Sequence, residues 1–101
     1  MNRLLTAAIA VSALAAAAPV MAQTHFDDRA SQLDQRIDDA VHDGRLSGSD
    51  ARLLRSELRS DQRLQDQYES DGMAGWQRRE LERRFDRLSD NIIHMESGSF
   101  E

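Results

Sequence analysis

Residues 34–60, DQRIDDAVHDGRLSGSDARLLRSELRS, and residues 61–87, DQRLQDQYESDGMAGWQRRELERRFDR, are two versions of one pattern. The copies align when Asp34 is placed on Asp61, which gives a tandem repeat of 27 residues. Apolar residues meet in this register, in the pairs Ile37 and Leu64, Leu54 and Leu81, and Leu58 and Phe85. Each copy contains the end of a helix, a short turn with glycine and the start of a new helix. The repeat therefore predicts two successive helix–turn–helix units.

Apolar residues recur at steps of three and four on either side of both turns. This spacing predicts three helices, at about 27–43, 48–69 and 75–95. No run of residues has the alternation that indicates a strand. Because the turns are short, consecutive helices should lie side by side in opposite directions. The expected fold class is all-α, with three antiparallel helices in a small bundle.

The turn residues indicate where the helices end and begin. Gly44 suits the left-handed conformation that closes a helix, and Ser47 is an N-cap candidate with Asp50 three residues later. In the second copy Ala74 stands where the capping hydroxyl would be, so this helix start should fray more. Trp76 lies off the apolar stripe of the third helix, and we expect it to plug the end of the bundle.

The second helix has a wide apolar arc that contains two carboxylates. The arc spans roughly 160° at 100° per residue, which lets this helix contact both neighbours. Glu57 and Asp61 fall inside it, four residues apart. In one interpretation the arc is not fully buried, or an arginine covers each carboxylate. In the other the two residues form a functional carboxylate pair.

The first 22 residues have the features of a secretory signal peptide. A positive start that contains Arg3 is followed by an alanine-rich apolar run and by small residues at Val20 and Ala22. Cleavage after Ala22 would leave a periplasmic chain with a helical domain at 23–96, a flexible tail at 97–101 and no transmembrane span.

The composition excludes several classes of function. Removal of Arg3 changes the formal net charge from −5 to −6, which disfavours a nucleic-acid partner. The chain has no cysteine, so it has neither a disulfide framework nor a thiolate metal site. No catalytic triad or phosphate-binding loop is present, so we expect neither an enzyme nor a cofactor. A small domain without disulfides has limited stability, and a homodimer formed through the third helix is a further expectation.

The first turn partly matches a calcium-binding loop. Asp39, Asp43, Ser47 and Asp50 occupy positions 1, 5, 9 and 12 of an EF-hand loop. Val41 is apolar at position 3, where a ligand is needed, and Asp50 is shorter than the usual glutamate. A weak cation site at 39–50 is therefore one alternative. Ordinary helix capping by the same residues is the other.

The third helix carries the basic patch of an otherwise acidic chain. Its arginines are Arg78, Arg79, Arg83, Arg84 and Arg87. They can form a solvated face with i, i+4 pairs, namely Arg78 with Glu82 and Glu80 with Arg84. They can also contact an anionic partner, which would make the protein an adaptor to the anionic envelope surface.

Two segments carry a family resemblance. The helix starts 46–50, LSGSD, and 73–77, MAGWQ, resemble the LTxxQ signature of the Spy/CpxP group of small periplasmic helical proteins. Residues 43–47, DGRLS, and 76–89, WQRRELERRFDRLS, more closely resemble signal-bearing helical-repeat proteins of Gram-negative bacteria whose function is not established. The first resemblance implies a non-enzymatic interaction protein, chaperone-like or related to envelope stress, with a protein partner or an unfolded client.

Overall fold

The computed structural model describes residues 23–98, and these form three helices. Helix α1 covers 23–42, α2 covers Gly48–Ser70 and α3 covers Gly75–Glu96. The expected all-α class is confirmed, and no strand occurs in the described residues. Helix α1 is already helical at residue 23, earlier than expected. None of the helices in this part of the chain is long and apolar enough to cross a membrane.

The predicted signal peptide and tail fall largely outside the residues that the structure describes. The predicted signal peptide at 1–22 lies outside the described residues, as do residues 99–101 of the predicted tail. Ser97 and Gly98 form a turn directly after α3, in which the Gly98 N–H donates to the Met95 carbonyl at 3.2 Å.

Side-chain contacts give the direction of each helix. The Gln65 amide donates to the Asp27 carboxylate at 2.8 Å, and Arg55, earlier in α2, pairs with Asp38, later in α1. Residue numbers thus rise along α1 as they fall along α2, so these two helices are antiparallel. Helices α2 and α3 are also antiparallel, as shown by the pairs Asp61 with Arg84 and Glu57 with Asn91. Helices α1 and α3 are parallel, as shown by the pairs Arg29 with Asp86 and Arg36 with Glu96.

One apolar core joins the three helices and both turns. Phe26 of α1 stacks on Phe85 of α3, with ring centroids 5.8 Å apart and planes 20° apart. Leu46 and Met73 bury one side chain from each turn. The repeat supplies much of the rest, since its members Ile37, Leu54, Leu58, Leu81 and Phe85 are all buried, while Leu64 is half-buried. The repeated apolar register is therefore a packing pattern.

The two turns close their helices in the same way. Gly44 has φ +79° and Gly72 has φ +98°, both in the left-handed region that glycine adopts without strain. After α1, the Arg45 N–H donates to the Ala40 carbonyl at 2.8 Å. After α2, the Met73 N–H donates to the Tyr68 carbonyl at 2.8 Å. Both are the long-range bonds of a Schellman motif.

The turns differ in length by one residue. Three residues separate Gly44 from the start of α2 at Gly48, and two separate Gly72 from the start of α3 at Gly75. The 27-residue offset therefore relates the helix starts but not the closing glycines. The shorter turn also places Met73 at φ 52°, which is uncommon for a residue with a side chain.

The two N-caps differ as the sequence predicts. Ser47 Oγ accepts a hydrogen bond from the Asp50 N–H at 3.0 Å. Ala74 has no acceptor in its side chain, and its own N–H donates to Gln77 Oε1 at 2.7 Å. The Gln77 amide in turn donates to the Asp71 carboxylate at 3.4 Å. Asp71 thus supports the second cap through Gln77.

We expect Ser47→Ala to lower the free energy of unfolding by about 1 kcal/mol, because an N–H of α2 loses its acceptor. Ala74→Ser should raise it by up to about 1 kcal/mol, since residue 74 already has the extended backbone of an N-cap. Urea denaturation followed by circular dichroism measures both changes. Equal and negligible effects of the two substitutions would contradict the cap assignment.

The expectation for Trp76 is wrong. Its side chain is 58% exposed and contacts Tyr68 edge-on, with ring centroids 5.6 Å apart. Met73 and Gln77, on either side of it, are buried at this end of the core instead. Trp76 therefore lies at the surface between α2 and α3 and does not plug the bundle.

Candidate functional site

Asp61 is a buried carboxylate between α2 and α3. It follows Leu54 and Leu58 at helical steps, so it belongs to the buried face of α2 and is only 3% exposed. Its Oδ1 lies 3.6 Å from Arg84 Nη1. Its Oδ2 is buried and has no hydrogen-bond partner within residues 23–98. A buried polar atom without a partner is uncommon and calls for a physical explanation.

The neighbouring charges satisfy Asp61 only in part. Arg84 also bonds Glu80, with Nε 3.1 Å from the glutamate Oε2, so its guanidinium is shared between two carboxylates. Burial raises the pKa of Asp61, Arg84 opposes this rise, the negative charge of Glu57 adds to it, and Arg87 opposes it weakly. The pKa of Asp61 is raised overall, because desolvation of the carboxylate outweighs the attraction of the arginines.

Glu57 is held one turn before Asp61. Both of its carboxylate oxygens lie 3.2 Å from the side-chain amide nitrogen of Asn91. The two carboxylates therefore have different surroundings: an amide binds Glu57, and a shared arginine faces Asp61. The suggestion that an arginine covers each carboxylate holds for Asp61 but not for Glu57.

A pocket of about 330 Å³ opens between these helices. Glu57, Asp61 and Arg84 line it together with Leu53, Ser56, Ser60 and Arg87. We call this pocket the α2–α3 groove. Arg87 has no hydrogen bond or ion pair at contact distance within the described residues. The groove thus combines an unpaired guanidinium with an unpaired carboxylate oxygen, an arrangement suited to binding a polar ligand.

The arginines of α3 separate into two groups. Arg83 and Arg84 bond Glu80 at 2.8 and 3.1 Å, and these bonds, that of Arg83 first, lower the pKa of the Glu80 carboxyl. Arg78, Arg79 and Arg87 form no ion pair in the described part of the chain. The expected pair of Glu80 with Arg84 is confirmed.

The expected pair of Arg78 with Glu82 does not form. Glu82 instead faces α1, where it contacts His25 at 2.8 Å and Arg29 at 3.3 Å. The spacing of i and i+4 on one helix does not reveal these competing partners. The role of the arginines at an anionic envelope surface stays a prediction.

Two of the four candidate cation ligands, Asp43 and Ser47, use their side chains in other contacts. Asp43 pairs with Arg45 at 3.1 Å, and Ser47 caps α2 through the Asp50 N–H. Asp39 is exposed on α1. Within residues 23–98, no three side chains of His, Cys, Asp or Glu form a group that could hold a metal ion. The side chains of the predicted cation site at 39–50 therefore do not come together as a set of metal ligands in this part of the chain.

The sequence pattern indicated some of the groove residues and missed others. Glu57 and Asp61 stood out within an apolar arc, and Arg84 and Arg87 within the basic patch. Leu53, Ser56, Ser60 and Asn91 were not expected to contribute. A helical projection of α3 places Arg84, Arg87 and Asn91 at steps of three and four, so this spacing could have joined Asn91 to the two arginines.

Comparisons of this chain with protein-family models, with curated proteins and with solved structures gave no match.

Proposed function

We propose that this chain is a small periplasmic interaction protein without enzymatic activity, which binds a polypeptide partner and can hold an unfolded client. The binding surface is the α2–α3 face, formed by the groove together with Leu64, Tyr68, Trp76 and Asn91. The observation that carries the proposal is that exposed apolar side chains lie on this one face beside polar atoms that have no partner within residues 23–98. The proposed periplasmic location rests on the signal-peptide pattern of residues 1–22.

The apolar part of the α2–α3 face is solvent-exposed. Leu53 is 63% exposed at the rim of the groove, and Trp76 is 58% exposed beside Tyr68. Aromatic residues and arginine are enriched in protein–protein interfaces, where they provide much of the binding energy. An unfolded polypeptide exposes apolar side chains that could cover Leu53 and Trp76.

The polar part of the same face suits a backbone or a charged side chain of the partner. Within residues 23–98, Asp61 Oδ2 has no hydrogen-bond donor and the Arg87 guanidinium has no acceptor. The hydroxyl groups of Ser56 and Ser60 can donate or accept. A polypeptide carries both hydrogen-bond donors and acceptors along its backbone. It can therefore form hydrogen bonds with these polar groups while its side chains cover Leu53.

Suppression of client aggregation tests this function. At stoichiometric amounts, residues 23–101 should slow the light scattering of a chemically unfolded model protein on dilution. Leu53→Ser should weaken this activity by up to about tenfold in effective concentration, because truncating an interface anchor removes on the order of 1 kcal/mol or more.

The matched control is Ile93→Ser, which removes an exposed apolar side chain of similar size from α3 outside the groove. Ile93 is 50% exposed, and the control should retain full activity. A chain that suppresses no aggregation at several-fold excess is not a chaperone. Equal losses for the two variants would indicate that the α2–α3 face has no special role.

A further inference from the structure

The α2–α3 groove is lined by the Asp61 carboxylate, whose Oδ2 has no hydrogen-bond partner within residues 23–98, and by the Arg87 guanidinium, which has no ion pair in that range. We propose that the groove binds an α-carboxylate with a neighbouring N–H donor, supplied by the carboxyl-terminal residue of a polypeptide. In this arrangement the ligand's carboxylate meets Arg87 and its N–H group meets Asp61. The inference rests on the proposed function and specifies which part of the polypeptide is recognised.

The Asp61 carboxylate provides the acceptor. The residue is 3% exposed, and its Oδ2 has no hydrogen-bond partner within residues 23–98. Arg84 cannot serve both Asp61 and Glu80 fully, since its Nε is 3.1 Å from Glu80 and its Nη1 is 3.6 Å from Asp61 Oδ1. The terminal torsion of an aspartate is broad, so a small rotation can bring either oxygen toward a donor in the groove.

The Arg87 guanidinium provides the donor. It lines the same pocket and has no ion pair in the described part of the chain. A guanidinium binds a carboxylate through two parallel N–H···O bonds, which makes arginine the usual partner of a carboxylate ligand. Arg84, on the same side of the groove, adds a second positive charge near the ligand's carboxylate.

The mixed charge of the groove selects the class of ligand. Arg84 and Arg87 disfavour an isolated cation, while Glu57 and Asp61 disfavour a simple anion. A ligand with a carboxylate and an adjacent N–H group matches both signs. Two sources have this chemistry, namely the end of a polypeptide and a free α-amino acid.

The shape of the groove favours the end of a polypeptide. The pocket is open to solvent, and its volume of about 330 Å³ accommodates a terminal residue. Leu53, 63% exposed, offers an apolar surface for the terminal side chain. The α2–α3 face continues past the pocket to Tyr68 and Trp76, which leaves room for the preceding residues of the partner.

Calorimetric titration of residues 23–101 with three probes tests the inference. N-acetyl-alanyl-leucine has a free carboxylate and should bind. N-acetyl-alanyl-leucinamide lacks that charge and should bind at least about tenfold more weakly, since its neutral end loses the charge-assisted bonds to Arg87. L-leucine distinguishes the sources: tighter binding of the peptide supports the chain end, and tighter binding of L-leucine overturns that assignment.

Three variants complete the test. Arg87→Gln and Asp61→Asn should each weaken binding of the acetylated dipeptide by about tenfold. Arg78→Gln removes an arginine of the same helix that lies outside the groove and has no ion pair within residues 23–98, and it should leave binding unchanged. Circular dichroism establishes that each variant is folded. Equal affinity for the acid and the amide, or equal losses for Arg78→Gln and Arg87→Gln, would overturn the inference.

The calorimetric titration and the aggregation assay can fail independently of each other. If the chain suppresses aggregation but binds neither the dipeptide nor L-leucine, the carboxylate site is wrong while the proposed function stands. If it binds the dipeptide but suppresses no aggregation, the site is supported and the chaperone activity is wrong.

Discussion

Phe85→Ala should lower the free energy of unfolding by about 3–5 kcal/mol, the usual cost of removing a buried phenylalanine. The Phe85 side chain is 0% exposed. It stacks on Phe26 with ring centroids 5.8 Å apart, and the Arg29 guanidinium lies 5.8 Å from its ring centroid. The substitution therefore removes contacts between α1 and α3 and leaves a cavity in the core between the helices. A single core in a domain of this size rarely gives a free energy of unfolding above about 3–5 kcal/mol, so the variant should be largely unfolded at 25 °C.

Trp76→Ala is the matched control for the loss of a large aromatic residue. Trp76 is 58% exposed and contacts Tyr68 only edge-on, so the expected change in stability is below about 1 kcal/mol. Urea denaturation followed by circular dichroism compares the two variants. If Trp76→Ala lowers the free energy of unfolding as much as Phe85→Ala does, then Phe85 is not in the core and Trp76 is not a surface residue.

Asp61→Asn should raise the free energy of unfolding at pH 7 by about 1 kcal/mol, because it removes a charge that is buried with one oxygen unpaired. Arg84 keeps its bond to Glu80 in this variant, so no guanidinium is left without a partner. The gain is limited because the attraction between Asp61 and Arg84 is lost at the same time.

The pH dependence of the free energy of unfolding shows whether ionised Asp61 stabilises or destabilises the fold. The pKa of Asp61 is raised in the folded chain above its ordinary value of 3.8, so the folded state binds the proton more tightly than the unfolded state. The cost of the buried charge is fully present at neutral pH. It is relieved as the pH falls through the raised folded pKa toward 3.8. The stability advantage of Asp61→Asn should therefore shrink over that interval.

The measurement is the difference in unfolding free energy between Asp61→Asn and the unmodified chain at several pH values. The difference isolates Asp61 from the other carboxylates, which titrate in both proteins. Asp66→Asn, on the exposed side of α2, should change stability by less than about 0.5 kcal/mol throughout. A loss of stability for Asp61→Asn at pH 7 would show that the ion pair with Arg84 outweighs the burial of the charge.

The helices and their caps could be predicted because their determinants are local. Apolar steps of three and four located the three helices, and Gly44 and Ser47 marked the first turn. The difference in turn length was not visible from the 27-residue offset, because that offset follows helix starts. The Asp-Gly pairs at 43–44 and 71–72, which lie 28 residues apart, do mark both helix ends in the sequence. The backbone bonds of Gly72 and Met73 agree that α2 closes at the second pair.

The site could be predicted only in part because its residues come from two helices. The apolar arc of α2 indicated that Glu57 and Asp61 face the interior. It could not indicate that Arg84 and Asn91 lie opposite them, since this depends on how α3 is rotated against α2. The same limit applies to Glu82, whose partners His25 and Arg29 belong to α1.

The central claim is that the α2–α3 face binds a polypeptide, and amide chemical-shift mapping by NMR tests it most directly. Titration of an isotopically labelled chain with an unfolded client peptide should shift the amides of Leu53, Asp61, Tyr68, Trp76 and Arg87, and leave those on the exposed side of α1 unchanged. Shifts centred on α1, or no shifts at saturating peptide, would contradict the claim.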